Sequence, residues 1–159
     1  MTEDAGGAGT AAAQPKDLQI DPRGYRFGAA VTLVISIIAL VLGSTPAGII
    51  AAAVLVLLFL PGATVGPQKT LQSLIFRKAI RPRIGPPSET ESFRPPRFAQ
   101  QMGLAFSLLA VLFGVLDIPA GFYVFMAFLV VASFLNAVLG FCLGCEIYLL
   151  LKRATTRAA

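Results

Sequence analysis

Residues 27–68 read FGAAVTLVISIIALVLGSTPAGIIAAAVLVLLFLPGATVGPQ, and from Phe27 to Gln68 there is no Asp, Glu, Lys or Arg. One membrane-crossing helix takes about 20 apolar residues, so this stretch has room for two. The division falls at Gly43-Ser44-Thr45-Pro46. Thr45 can cap a new helix with Pro46 as its first residue, where a missing N–H costs nothing. Spans are therefore expected over about 26–43 and 46–65, the second bent or stopped near Pro61-Gly62.

A second apolar region runs from Phe98 to Leu151 and carries charge only at Asp117 and Glu146. The turn Leu116-Asp117-Ile118-Pro119 divides it into spans over about 98–116 and 119–151. The last of these, as one helix, would be about 50 Å long against a hydrocarbon core of about 30 Å. It must tilt, project from the membrane or break, and Gly140 and Gly144 are the places to break. The expected fold is an all-α membrane protein whose four transmembrane helices form two helical hairpins. Its domain spans 21–153, with a connector over 66–97, a flexible tail over 1–20 and a short tail over 154–159.

Composition agrees. The chain is 56% hydrophobic and 13% charged, about half the usual charged fraction, with a mean hydropathy of +0.77. Its net charge of +5 would suggest nucleic acid in a soluble protein, but this hydropathy points to the lipid bilayer as the partner and to no nucleic acid. With no His and two Cys, the chain lacks most ligands and bases for a mononuclear zinc site, a haem or a serine triad; no metal site or cofactor is implied.

The basic residues set the topology. Lys16, Arg23 and Arg26 precede the first span; Lys69, Arg77, Lys78, Arg81, Arg83, Arg94 and Arg97 fall in the connector; Lys152, Arg153 and Arg157 follow the last. Neither of the other turns has any, which puts both termini and the connector in the cytoplasm. Within the connector, Leu71, Leu74 and Ile75 recur at helical spacing beside Lys69, Arg77, Lys78, Arg81 and Arg83. That pattern suits a short amphipathic helix on the membrane surface, and equally a solvated basic loop. Arg81-Pro82-Arg83, Pro86-Pro87 and Pro95-Pro96 read as an extended path. A faint repeat also exists, Arg26-Phe27 before Pro46-Ala47-Gly48 and Arg97-Phe98 before Pro119-Ala120-Gly121, each unit one hairpin.

The chemistry-bearing stretch is Asn136-Ala137-Val138-Leu139-Gly140-Phe141-Cys142-Leu143-Gly144-Cys145-Glu146-Ile147-Tyr148. On a helix, Cys142, Cys145 and Glu146 share one side, and a dithiol with a nearby acid is the minimum equipment for thiol–disulfide exchange. In an unbroken span the pair would lie inside the inner leaflet, where a thiolate is disfavoured; a break at Gly140 would place it at a new helix start, which favours one. Two other uses stand beside this: small apolar packing, or half a metal bridge completed by a second chain. The opposite face reads Ala132, Asn136, Gly140, Gly144 and Tyr148, a small-residue stripe for helix packing within the chain or for a homodimer.

At these residues the chain resembles a bacterial, mainly actinobacterial, membrane family known as domain-of-unknown-function family 4395. The matching stretches are Asp21-Pro22-Arg23-Gly24, Arg81-Pro82-Arg83-Ile84-Gly85-Pro86-Pro87, Pro95-Pro96-Arg97-Phe98-Ala99-Gln100, and Leu135-Asn136-Ala137 with Gly140 to Tyr148. The resemblance implies a small integral protein of the bacterial plasma membrane, often encoded near thioredoxin-like or sulfurtransferase proteins. It implies no assigned activity and no catalytic residues.

Together these readings make Cys142 and Cys145 a cytoplasm-side pair that exchanges electrons or sulfur with a soluble thioredoxin-like or sulfurtransferase partner. By the usual arrangement Cys142 would carry the mixed disulfide. The noncatalytic alternative is a membrane anchor or assembly subunit whose basic connector docks a cytoplasmic protein or anionic lipid. Four-helix thiol oxidases are an architectural analogy, but they add a quinone or a second Cys pair, and this chain has no second pair. In a Cys142→Ser, Cys145→Ser background, Ser44→Cys and Ile118→Cys are expected to react with an impermeant maleimide on intact cells, and Ser88→Cys and Thr155→Cys to be protected. Labelling of Ser88→Cys from outside would reverse the topology.

Overall fold

The computed structural model describes residues 18–157. Residues 1–17 of the expected N-terminal tail, and the last two residues of the chain, lie outside them. Four helices are long and apolar enough to cross a membrane: α1 (Pro22–Leu42), α2 (Pro46–Thr64), α5 (Arg94–Val115) and α6 (Pro119–Leu139). Between α2 and α5 lie two short helices, α3 (Leu71–Ile75) and α4 (Arg81–Ile84), joined by a π-helical run Phe76–Ile80. A further helix, α7 (Leu143–Arg157), follows α6. Two short strands, β1 (Gln19–Ile20) and β2 (Glu91–Ser92), pair antiparallel with Gln19 opposite Ser92.

Local chemistry explains the boundaries and corrects several expected ones. Thr45 caps α2 as anticipated, its hydroxyl accepting from the Gly48 N–H at 3.3 Å. The first span starts earlier than position 26 because Asp21 caps it, accepting from the Arg23 N–H at 3.0 Å with Pro22 at the start. Likewise α5 takes in Pro95-Pro96, which do not run extended: in a first turn neither N–H is needed. Arg81-Pro82-Arg83 is also helical rather than extended, with Pro82 in the first turn of α4. α2 continues about a turn past Pro61 to Thr64. The fourth span ends at Leu139, and the end of the expected tail, Gln19–Ile20, is a strand.

The helices form a four-membered ring in which α2 packs most extensively against α5 and α1 against α6, so the heaviest packing crosses between the two sequence-adjacent pairs. Small residues make this approach possible: Ala39, Ala52, Ala110, Ser36 and Ser107 are all fully buried, with Leu55, Phe122 and Met126 filling the space between. Large side chains such as Val41, Ile50 and Leu57 are mostly exposed. Buried small and exposed large side chains are what a bundle in lipid requires, because tails solvate Leu as well as a core does and close backbone packing must supply the attraction.

At the end where α1 and α5 begin and α2 and α6 end, polar side chains tie the elements together. Arg23 donates to Asp21 at 3.0 Å and to the Gly85 carbonyl at 3.0 Å, fastening the connector to α1. The Tyr25 hydroxyl donates to Glu91 at 2.8 Å, and Phe76 packs on Phe27. Arg97 and Gln101 of α5 donate to the Ala63 and Thr64 carbonyls that close α2. A cation there also faces the negative end of the helix dipole.

Burial works against ionisation of Asp21, yet hydrogen bonds from Arg23 and the charges of Arg23 and Arg81 hold its carboxyl below the ordinary 3.8. A depressed carboxylate contributes stability above its unfolded value and loses it as pH falls through the folded one. Asp21→Ala is therefore expected to cost about 1 kcal/mol at pH 7, with the gap to the parent narrowing progressively below pH 3.8. Thermal unfolding in detergent at pH 7 and pH 3 measures this; an undiminished gap at pH 3 would remove the charge from the explanation.

Candidate functional site

The site is made by the way α6 stops. Gly140 takes a left-handed conformation, φ 68° and ψ 16°, and the N–H groups of Gly140 and Phe141 both turn back to the Leu135 carbonyl. A side chain in that conformation would be strained, so glycine ends the helix there. The Arg26 guanidinium lies over the turn, since a Cβ placed on Gly140 would come 3.2 Å from Arg26 Cζ. The chain restarts as α7 with Cys142 in the capping position. Its carbonyl accepts from the Glu146 N–H at 3.1 Å, and its Sγ accepts from the Cys145 N–H at 3.3 Å. Cys142 thus does with sulfur what Ser or Asp does with oxygen at a helix start.

Cys142 and Cys145 are joined in a disulfide, their Cα atoms 5.2 Å apart. The two sulfur-bearing residues differ in surroundings: Cys142 is buried, Cys145 is partly exposed. Cys142 also forms part of the wall of a cavity of about 270 Å³ bounded by α1, α5, α6 and α7, with Phe59 from α2; Cys145 does not. The walls are mainly apolar, with Phe59, Phe106 and Phe128 among them, and polar groups come from Tyr25, Thr32, Gln100, Ser133 and Asn136. The Asn136 Oδ1 atom is buried and accepts no hydrogen bond among the described residues.

The expected site residues are only partly brought together. Asn136 and Gly144 share the cavity wall with Cys142. Glu146 is in the first turn of α7 but is exposed and off that wall. The stripe Ala132, Asn136, Gly140, Gly144 and Tyr148 is not one helix face, because the helix is broken at its middle member: Ala132 and Asn136 belong to α6, Gly140 to the turn, Gly144 and Tyr148 to α7. Its α7 half packs within the chain. The Tyr148 ring lies tilted against Phe98 with centroids 5.8 Å apart, and a Cβ on Gly144 would lie 2.7 Å from the Ala99 Cβ. With both sulfurs bonded to each other, neither is a thiolate ligand, and no three His, Cys, Asp or Glu among the described residues cluster as a metal site. Lys69, Arg77, Lys78, Arg81 and Arg83 are exposed on the connector, away from the pair's cavity.

The cavity and the orphaned amide were not foreseen from sequence; the capping role of Cys142 was readable, since a short acceptor side chain follows a helix-ending glycine. All four stretches that carry the family resemblance make contacts at this end, in two pairs: Arg23 with Gly85, and Phe98 with Tyr148 and Ala99 with Gly144. A family model described as Domain of unknown function (DUF4395) matches residues 20–153. The chain belongs to the DUF4395 family. No curated protein and no solved structure matches it.

In this DUF4395 chain Gly144 lets α7 lie close on α5, two residues from the buried Cys142. Gly144→Leu is expected to lift α7, and to speed reduction of the disulfide by a water-soluble phosphine several-fold in detergent-solubilised protein. Thiol alkylation against time reads the rate; an unchanged rate would show that the α5–α7 contact does not shield the pair.

Proposed function

We propose that this DUF4395 protein is a multi-pass protein of the bacterial plasma membrane whose Cys142–Cys145 disulfide exchanges with a soluble dithiol protein, thioredoxin-like or a sulfurtransferase, on the cytoplasmic side. The observation that carries the reading is the placement of the disulfide at the start of α7, with the Cys142 sulfur hydrogen-bonded by the helix and Cys145 a partly exposed residue. A partner thiolate attacks Cys145 Sγ, the S–S bond breaks, and Cys142 leaves as a thiolate. That thiolate gains the Cys145 N–H and the positive end of the α7 dipole. The partner's second thiol then attacks the mixed disulfide and releases Cys145, leaving the partner oxidised and the pair reduced.

This order differs from the sequence expectation that Cys142 carries the mixed disulfide. The burial of Cys142 supports the change, because an attacking sulfur needs a clear approach. Glu146, exposed and adjacent to Cys145 in the chain, is the acid-base candidate for the incoming thiol.

A second reading, a docking surface, is favoured by the connector. Lys69, Arg77, Lys78, Arg81 and Arg83 are exposed there together with Leu71, Ile75 and Ile84, the mixture that binds an anionic lipid surface. A peptide covering Pro67 to Arg83 is expected to bind vesicles containing anionic lipid and to be released by salt. Equal, negligible binding to neutral and anionic vesicles would leave the connector as a topology signal alone.

For the exchange reading, acid-trapped cells expressing Cys142→Ser are expected to hold a mixed disulfide through Cys145, and Cys145→Ser cells much less of one. Non-reducing gels with mass-spectrometric mapping read the linkage. Trapping on Cys142 instead would restore the usual order. If neither variant traps, and the double Ala variant exchanges with reduced thioredoxin no differently from the parent, the pair is packing.

A further inference from the structure

The two sulfurs face two environments. Cys145 is partly exposed outside the cavity, while Cys142 forms part of its wall. Phe128 and Val131, on the same wall, are each about half exposed on the flank of α6, so the cavity reaches the lipid-facing side of the bundle. A ligand entering there would come from the bilayer and would meet Cys142 rather than Cys145.

The lining specifies the ligand's chemistry. Three phenylalanine rings, Phe59, Phe106 and Phe128, favour a flat ring system. The cavity, at about 270 Å³, lies just below the roughly 300 Å³ at which drug-sized pockets begin, which suits a ring whose tail remains in lipid. The buried Asn136 Oδ1 accepts no hydrogen bond among the described residues, and a ligand hydroxyl would meet it. An amide offers both an N–H donor and a carbonyl acceptor, so it can hold a carbonyl before a reaction and the hydroxyl formed from it afterwards. A flat, lipid-soluble ring with carbonyls that become hydroxyls on taking two electrons is a quinone.

We propose that this cavity binds the head group of a membrane quinone, which reoxidises the Cys142/Cys145 dithiol. The proposal rests on the exchange reading above and names its electron acceptor. The Cys142 thiolate adds to a ring carbon, forming a C–S bond and moving an electron pair onto a carbonyl oxygen, which takes up a proton. Cys145, as thiolate, attacks Cys142 Sγ; the S–S bond forms, the C–S bond breaks, and its electron pair leaves with the ring, which takes the second proton. One dithiol and one quinone become one disulfide and one quinol, and the two thiol protons are balanced by the two quinol hydroxyls. Electrons thus enter at Cys145 and leave at Cys142.

The test uses the full chain in lipid nanodiscs, reduced and freed of reductant, with a short-tailed naphthoquinone or benzoquinone as the probe. Loss of quinone absorbance is expected to match disulfide formation at one quinone per chain. Ala132→Phe, which fills the cavity from α6, should slow the reaction at least tenfold, and Asn136→Leu should raise the quinone KM several-fold. Leu57→Phe, on the exposed flank of α2, should change neither. An azidoquinone should label peptides of α5 or α6 in the Cys142→Ser, Cys145→Ser protein, whether or not the two cavity variants fold. No quinone-dependent oxidation, or equal rates in the parent and in well-folded Ala132→Phe and Asn136→Leu, would overturn the proposal. Reduction of the parent disulfide by thioredoxin is measured on the same preparation. If that exchange proceeds while quinone fails, only the acceptor is wrong; if it also fails, the exchange reading falls with it.

Discussion

A helix leaves its first N–H and last C=O groups without partners inside the helix, and next to lipid, where water is scarce, the chain itself must supply most of them. Much of what is distinctive in this protein answers that constraint. Asp21 and Thr45 cap the starts of α1 and α2; Arg97 and Gln101 reach from α5 to the closing carbonyls of α2; Gly140 and Phe141 turn back to α6. These ties also hold the connector against the bundle, because Arg23, which braces the Asp21 cap, bonds Gly85 as well.

The same constraint produces the cysteine site. α6 stops at a left-handed glycine, and the new helix needs an acceptor for its first N–H groups, which Cys142 supplies with sulfur. A residue that caps a helix is held in place and polarised at once. The N–H that the cap satisfies is also the group that would stabilise a thiolate at that atom.

Against this economy stands the cavity beside Cys142. The bundle packs around alanine and serine, and here it leaves a hollow bordered by phenylalanines and by Asn136, whose Oδ1 is one of several buried polar atoms without a partner among the described residues, with Ser36 Oγ, Gln68 Oε1 and Gln72 Oε1. Departures from local rules are expected at functional or strained sites.

The sequence by itself determined the four long helices, the turns between them and the sharing of one end by the basic segments, because an uncharged run is legible without knowing what it touches. It also singled out Cys142 and Cys145 and named Gly140 and Gly144 as the two places to break, of which the chain uses Gly140. What it left to tertiary structure were matters of contact. Pro95-Pro96 and Arg81-Pro82-Arg83 read as extended from local preference, yet each lies in a helical first turn, where proline's missing donor is harmless. The small-residue stripe looked continuous at intervals of four, but that spacing holds only while a helix continues, and Gly140 ends it. Only the fold could decide that α7 lies on α5 through Gly144, that Cys142 is covered while Cys145 is not, and that Asn136 faces a hollow with Phe59, Phe106 and Phe128. Burial and cavities depend on residues far apart in the chain, and no local pattern encodes them.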